Sequence, residues 1–285
     1  PGVCCRAHRG DLPVGLAAAV LDPAAARQPP AAAAGLALAA TGVALLRDEP
    51  SEELLPDLDQ AAPSAVSVVR AGRSYRLIFL SAVENNGPGP LLLEGRRTSA
   101  AVPSLAVQQV IRSTDGATRP VTVNAEMRYI RAETHAHWHI LGFERYELRT
   151  ADGAELVGRD VKTGFCLGDR YDASVKVRAE NEPEQAVWTE ECGRGAPDLL
   201  HLAEGISPGY GDDYVPRLEG QYVDVTDAAA GRYLLVHRVN EDRALRESAY
   251  ENNAASVLLR LRRPDQGPPT ATILASCPDS DRCEG

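Results

Sequence analysis

The sequence predicts an all-β fold, a β-sandwich-like domain with long irregular loops. Three observations lead there. From Ser64 onward, short segments rich in Val, Leu, Ile, Tyr and Thr recur. Clusters of Gly, Asn, Asp and Pro separate most of them, and helical periodicity is weak throughout. In chain order the strand-like segments are SAVSVV (64–69), YRLIFLSAV (75–83), PLLLEG (90–95), PVTVNAEMRYI (120–130), RYELRT (145–150), YVDVTD (222–227), RYLLVHRV (232–239) and SVLLRLRR (256–263). β-Branched and aromatic side chains suit a pleated, half-buried surface, which is why these runs read as strands. The stretches NNGPGP (85–90) and TADGAE (150–155) supply the residues that turns require. The acidic, Gly/Pro-rich piece 179–209 reads as one extended loop, and loops of that length are often functional.

Composition narrows the possibilities. The chain has 285 residues, 44% hydrophobic and 25% charged, enough for a sizeable core. A formal net charge of -10 excludes a nucleic-acid partner, because phosphate binding needs a basic surface. No apolar run is long enough for an integral membrane span. The Ala-rich run 31–46, flanked by Arg27, reads as the apolar core of a secretory signal, so the mature protein is expected outside the cell. The expected organisation is a leader or disordered segment over 1–50, the main domain over 51–263, and a Pro-rich tail over 264–285. Of the six cysteines none forms a Cys-x-x-Cys pair, which argues against a zinc knuckle. Cys277 and Cys283 suit a small disulfide loop in the tail, Cys166 and Cys192 suit a second bridge, and export would allow both.

The sharpest chemical signal is His135-Ala136-His137-Trp138-His139, which holds three of the six histidines. Alternate side chains of a strand share a face, so the three imidazoles would point the same way. On a straight strand their Cα atoms would spread over about 13 Å, so binding one ion requires a bend or bulge. Neutral imidazoles suit copper or zinc and leave coordination positions open for water, oxygen or substrate. No cysteine or methionine adjoins the triplet, which disfavours a soft Cu(I) carrier or a blue-copper site.

A second constellation follows. One of only two lysines stands in Val161-Lys162-Thr163-Gly164-Phe165-Cys166-Leu167-Gly168-Asp169. Further on come GISPGYGDDY (205–214), QYVDVTD (221–227) and Tyr250-Glu251-Asn252-Asn253. Read singly, a lysine near a strand is a solvated cation, and Gly-rich tyrosine loops are turns. Taken in order with THAHWH, they resemble the catalytic domain of the lysyl oxidase family, over a stretch from about Leu55 through Asn253. VENNGPGPL and RYELRTADG are also in register.

The resemblance implies a copper amine oxidase with a self-made quinone, lysine tyrosylquinone. His135, His137 and His139 match the copper ligands, Lys162 the cross-linked lysine and Tyr214 the oxidised tyrosine. Such an enzyme deaminates primary amines, including peptidyl lysine, to aldehydes, with oxygen as oxidant and with peroxide and ammonia as products. The residue types fit that chemistry. A lysine amine adds to an electrophilic ring once deprotonated, whereas arginine stays protonated. The base is left between Asp169 and Asp213, since such an assignment needs geometry. The chain departs from animal members at Thr134, Tyr210 and Gly220, where they carry cysteines, and so resembles a microbial member. It lacks a basic propeptide, which puts a matrix substrate in doubt. Two other readings stand beside this one. A cupin-type metal oxygenase would add Glu144 to His137 and His139. An exported, non-enzymatic copper- or zinc-binding module would use the histidines alone.

Overall fold

The computed structural model describes residues 51–132, 135–162, 164–173, 178–218 and 220–284. The signal-like segment therefore lies outside the described residues, as do Thr134, Thr163 and Lys176. Among the described residues there is no helix, and so none long and apolar enough to cross a membrane. Strands β1 (Glu53–Leu54), β2 (Leu58–Gln60), β3 (Ser64–Ala71), β4 (Ser74–Asn85) and β5 (Leu91–Arg96) come first. Then follow β6 (Ser104–Ser113), β7 (Thr118–Arg131), β8 (Ala136–Ile140), β9 (Glu144–Thr150), β10 (Leu156–Arg159) and β11 (Tyr171–Asp172). The chain ends with β12 (His201–Ile206), β13 (Tyr210–Tyr214), β14 (Tyr222–Asp224), β15 (Gly231–Val239), β16 (Ala254–Arg262) and β17 (Thr270–Cys277).

The fold is all-β, and its strands form three antiparallel sheets. One runs β12-β5-β6-β7-β8 with β1 on β6. A second runs β10-β9-β15-β16-β17. The third is built on β4, in the order β11-β13-β4-β14, with β2 and β3 also paired to β4. β4 holds that many partners because it is 12 residues long. Its N-terminal half pairs β3 and β14, and its C-terminal half pairs β2 and β13. The run Leu77, Ile78, Phe79 is buried on consecutive positions, so both faces of β4 are covered. Phe79, Trp138, Tyr146 and Phe165 lie in one buried cluster, each ring removed from water and contributing roughly 1.5–3 kcal/mol by area.

Two features differ from the reading of the sequence or refine it. The stretch 179–209 is not one structureless loop, because β12 pairs with β5 over all six of its residues. Its inward positions are Leu202, Glu204 and Ile206, and the carboxylate in the middle breaks the apolar alternation that announces a strand. The Pro-rich end of the chain contributes β17, which pairs with β16 at the edge of its sheet. Both disulfides form, Cys166–Cys192 and Cys277–Cys283. The NNGPGP stretch is the β4–β5 turn, organised by buried Asn85. Its Oδ1 accepts from the amides of Asp57 and Gly87, and its Nδ2 donates to the carbonyls of Gly89 and Ile206.

Candidate functional site

Short-range pairing delivers the three histidines. β8 is the edge strand of its sheet, paired only with β7, so that His139 lies opposite Arg128 and His137 opposite Ile130. Trp138 and Ile140 point into the core, and the histidines therefore point the other way. His135 stands just before the strand, and its carbonyl accepts from the Ala132 amide. That departure supplies the bend which a straight strand lacks. The imidazole centroids lie 4.6 Å (His135–His137), 4.6 Å (His137–His139) and 5.3 Å (His135–His139) apart. One ring nitrogen from each lies within 4.8 Å of the others, close enough for one ion.

The donor set fits a metal. The Nδ1 atoms of His137 and His139 are buried and make no hydrogen bond. Burial pushes His139 down to about 2 and His137 to about 4, and the neighbouring imidazoles and Lys162 push the same way. Both rings are thus neutral at ordinary pH, the form that binds metal.

The free edge of β8 is covered by two distant segments. Ile140 and Phe165 exchange backbone hydrogen bonds, the Trp138 amide donates to the Cys192 carbonyl, and the Gly195 amide donates to Ala136. The Cys166–Cys192 bridge staples those two segments together. Gly164 permits the approach. A Cβ there would sit 2.6 Å from the Ile140 oxygen and 2.8 Å from the His139 Cβ. This is how Lys162 comes beside the histidines.

Tyr214 arrives from β13, opposite Ser81 of β4. Its ring packs edge-on against Phe165 at 5.0 Å. The Lys162 Nζ lies 5.0 Å from the Tyr214 centroid and 4.9 Å from that of Phe165. Lys162 is held from its backbone, with its amide donating to Asp160 Oδ2 at 3.2 Å. Gly220, at φ +76, lets the neighbouring turn lie directly on it, since a Cβ there would meet the Lys162 Cα at 2.6 Å. The Tyr214 hydroxyl donates to Asp212 Oδ2 at 2.5 Å. Burial raises both groups well above their ordinary ranges; the charge and hydrogen bond of Asp212 raise Tyr214 further, whereas the Tyr214 hydrogen bond and Arg170 pull Asp212 back down.

The carboxylate beside the phenol is therefore Asp212, and neither aspartate named from the sequence takes that place. The oxygens of Asp169 accept from the amides of Val187, Trp188 and Ser207, so this side chain ties loops together. Asp213 alternates with Asp212 and Tyr214 along β13 and faces the opposite side. The period of two was the signal that could have found Asp212, since it stands two positions before Tyr214 on a strand.

Glu144 does not join the histidines. Its Oε2 accepts from the hydroxyls of Tyr146 (2.7 Å) and Ser81 (2.8 Å), and Ser81 Oγ also contacts His237 Nδ1 at 2.9 Å. The cupin reading, which needs Glu144 as a ligand, finds no support in this arrangement. Burial raises the Glu144 carboxyl to about 7, against the opposing pull of Tyr146 and Ser81. The folded protein thus holds this proton more tightly than the unfolded chain. Its stabilising contribution is full below the unfolded value of about 4.5 and is lost as pH rises through 7. Glu144→Gln is expected to be near neutral at pH 5 and to exceed the parent by up to about 3 kcal/mol at pH 8.5. Urea unfolding at the two pH values checks this, and an unchanged difference between them would contradict it.

Comparison with known proteins adds a separate line. The family description "Lysyl oxidase" matches residues 105–265, more than half of the 285-residue chain. The chain is 28% identical over 130 residues to protein-lysine 6-oxidase of Rattus norvegicus, a match that covers 44% of this chain and 27% of that protein. It is also 28% identical over 130 residues to protein-lysine 6-oxidase of Sus scrofa, covering 44% of each. Against lysyl oxidase homolog 3 of Homo sapiens the identity is 29% over 126 residues, covering 43% of this chain and 14% of that protein. The chain thus spans less than half the length of the curated relatives it matches.

Proposed function

The chain belongs to the lysyl oxidase family, and from that premise we propose that it oxidatively deaminates primary amines, with a copper ion and a lysine tyrosylquinone of its own making. One observation carries this reading. An amine and a phenol ring from separate stretches lie 5.0 Å apart, in a segment bonded to the strand that carries three convergent imidazoles. His135, His137 and His139 would hold the copper, and Lys162 and Tyr214 would make the quinone. With oxygen, this pair of cofactors supplies the two-electron chemistry that takes a primary amine to an aldehyde, ammonia and hydrogen peroxide.

The protein's own part is positioning, desolvation and proton handling. Phe165 sets the plane of the Tyr214 ring and shields it from water on one side. Asp212 Oδ2 accepts the hydrogen bond of the phenol and is placed to take its proton; its raised affinity for a proton suits it to that role. Lys162 is anchored by its backbone at Asp160 while its amine end reaches the ring; a lysine amine, unlike a guanidinium, becomes nucleophilic once it gives up its proton. The net charge of -10 favours cationic amines, peptidyl lysine among them. Two disulfides accord with a secreted protein in an oxidising compartment.

The test is to produce the protein with copper, expose it to air and record its visible spectrum together with peroxide released from a small diamine and from a lysine-containing peptide. A visible chromophore and amine-dependent peroxide are expected, with neither in metal-free protein. Bound copper without either signal would overturn the proposal.

A further inference from the structure

Of the buried carboxyls that the mechanism leaves unused, one among the described residues has both oxygens without a hydrogen bond. Glu204, on an inward position of β12, is 2% exposed, and neither of its carboxyl oxygens makes a hydrogen bond. The Leu167 amide faces it without meeting ordinary hydrogen-bond geometry. A buried, unpartnered carboxyl is a liability that a purely structural site would avoid. Its surroundings suggest a use for it. A Glu204 oxygen and the sulfurs of Cys166 and Cys192 lie within 4.8 Å of one another. On the other side of the bridge, Arg170 Nη2 stands 3.6 Å from Cys166 Sγ. Cys192 and Glu204 both line a cavity of about 530 Å³ whose wall also includes Trp188, Leu199 and His201. Cys192 is held at φ +44, a conformation that few non-glycine residues adopt.

We propose that Cys166–Cys192 is a thiol–disulfide exchange centre, opened by a small dithiol arriving through this cavity, with Glu204 as the acid that protonates the departing sulfur. The incoming thiolate attacks Cys192 Sγ, since Cys192 rather than Cys166 is the half of the bridge that lines the cavity. A new sulfur–sulfur bond forms to Cys192, the Cys166–Cys192 bond breaks, and Cys166 leaves as a thiolate. The Arg170 guanidinium stabilises that charge and the Glu204 carboxyl supplies the proton; burial raises the affinity of this carboxyl for a proton. The second thiol of the reductant then attacks its own sulfur in the mixed disulfide, which releases Cys192 as a thiol, and solvent reprotonates Glu204. Overall the dithiol is oxidised to a disulfide and the protein bridge is reduced to two thiols.

The centre also touches the candidate site. The Cys166 carbonyl accepts from the Tyr214 hydroxyl at 3.4 Å, and the Cys192 carbonyl accepts from the amide of Trp138, between two of the histidines. Opening the bridge removes the covalent link between the two segments that cover β8, which then rest on their backbone hydrogen bonds.

The test treats the full chain, under native conditions, with dithiothreitol. Timed samples are quenched with N-ethylmaleimide, and peptide mass spectrometry reads the label at each cysteine. Cys166 and Cys192 should become labelled at least about tenfold more slowly in Glu204→Gln than in the parent, while Cys277 and Cys283 keep their rate. Equal rates in the two proteins, or labelling of Cys166 and Cys192 only in denaturant, would overturn the proposal. A second measurement uses the parent protein alone. Brief exposure to glutathione should leave its mixed disulfide on Cys192, and finding it on Cys166 would refute the assignment.

Discussion

Lys162→Arg is expected to abolish amine-dependent peroxide release, a loss of at least about 10³-fold, while copper uptake and the thermal transition stay as in the parent. The expectation rests on chemistry rather than charge. Arginine keeps the positive charge and enough length to lie on the rings of Phe165 and Tyr214, 4.9 and 5.0 Å from the present Nζ. It cannot lose its proton at accessible pH, so it cannot add to an oxidised ring. Peroxide assay, copper content by elemental analysis and the visible spectrum, measured on one preparation, separate the possibilities. Undiminished turnover would remove Lys162 from the cofactor. Lost copper would mean instead that the substitution had disturbed the imidazole cluster.

Asp212→Asn is expected to lower amine turnover by about 10²-fold or more. The amide can still accept the Tyr214 hydrogen bond now made at 2.5 Å, and it fills the same buried space. It cannot take a proton, so the variant isolates proton transfer from positioning. The pH profile provides the second readout. If Asp212 takes the proton, the acidic limb of the profile, where the rate falls as the carboxylate protonates, should disappear in the variant. A rate equal to the parent's, with an unchanged profile, would show that Asp212 only orients the ring.

Much of this was legible in the chain. The strands from Ser64 onward follow from β-branched and aromatic runs cut by Gly, Asn and Pro, and the histidine triplet announced a shared face through its spacing. What escaped has specific causes. Convergence of the rings depends on His135 lying just outside β8, which no local propensity dictates. Asp212 was passed over for Asp169 and Asp213 because three carboxylates close in sequence look alike until strand alternation and loop hydrogen bonds sort them. β12 was hidden by Glu204, a polar residue on an inward position. Glu144, Ser81, Tyr146 and His237 meet from three strands, and long-range assembly of that kind leaves no pattern in a single segment.

The half-buried seat of Lys162 has one more consequence. The cations of this chain are arginines almost throughout, with Arg149, Arg159 and Arg238 all converging on Glu147. Apart from Lys176, the 285-residue sequence contains no other lysine. If the proposed activity extends to peptidyl lysine, a second copy of this sequence would offer it almost no lysyl side chain to attack.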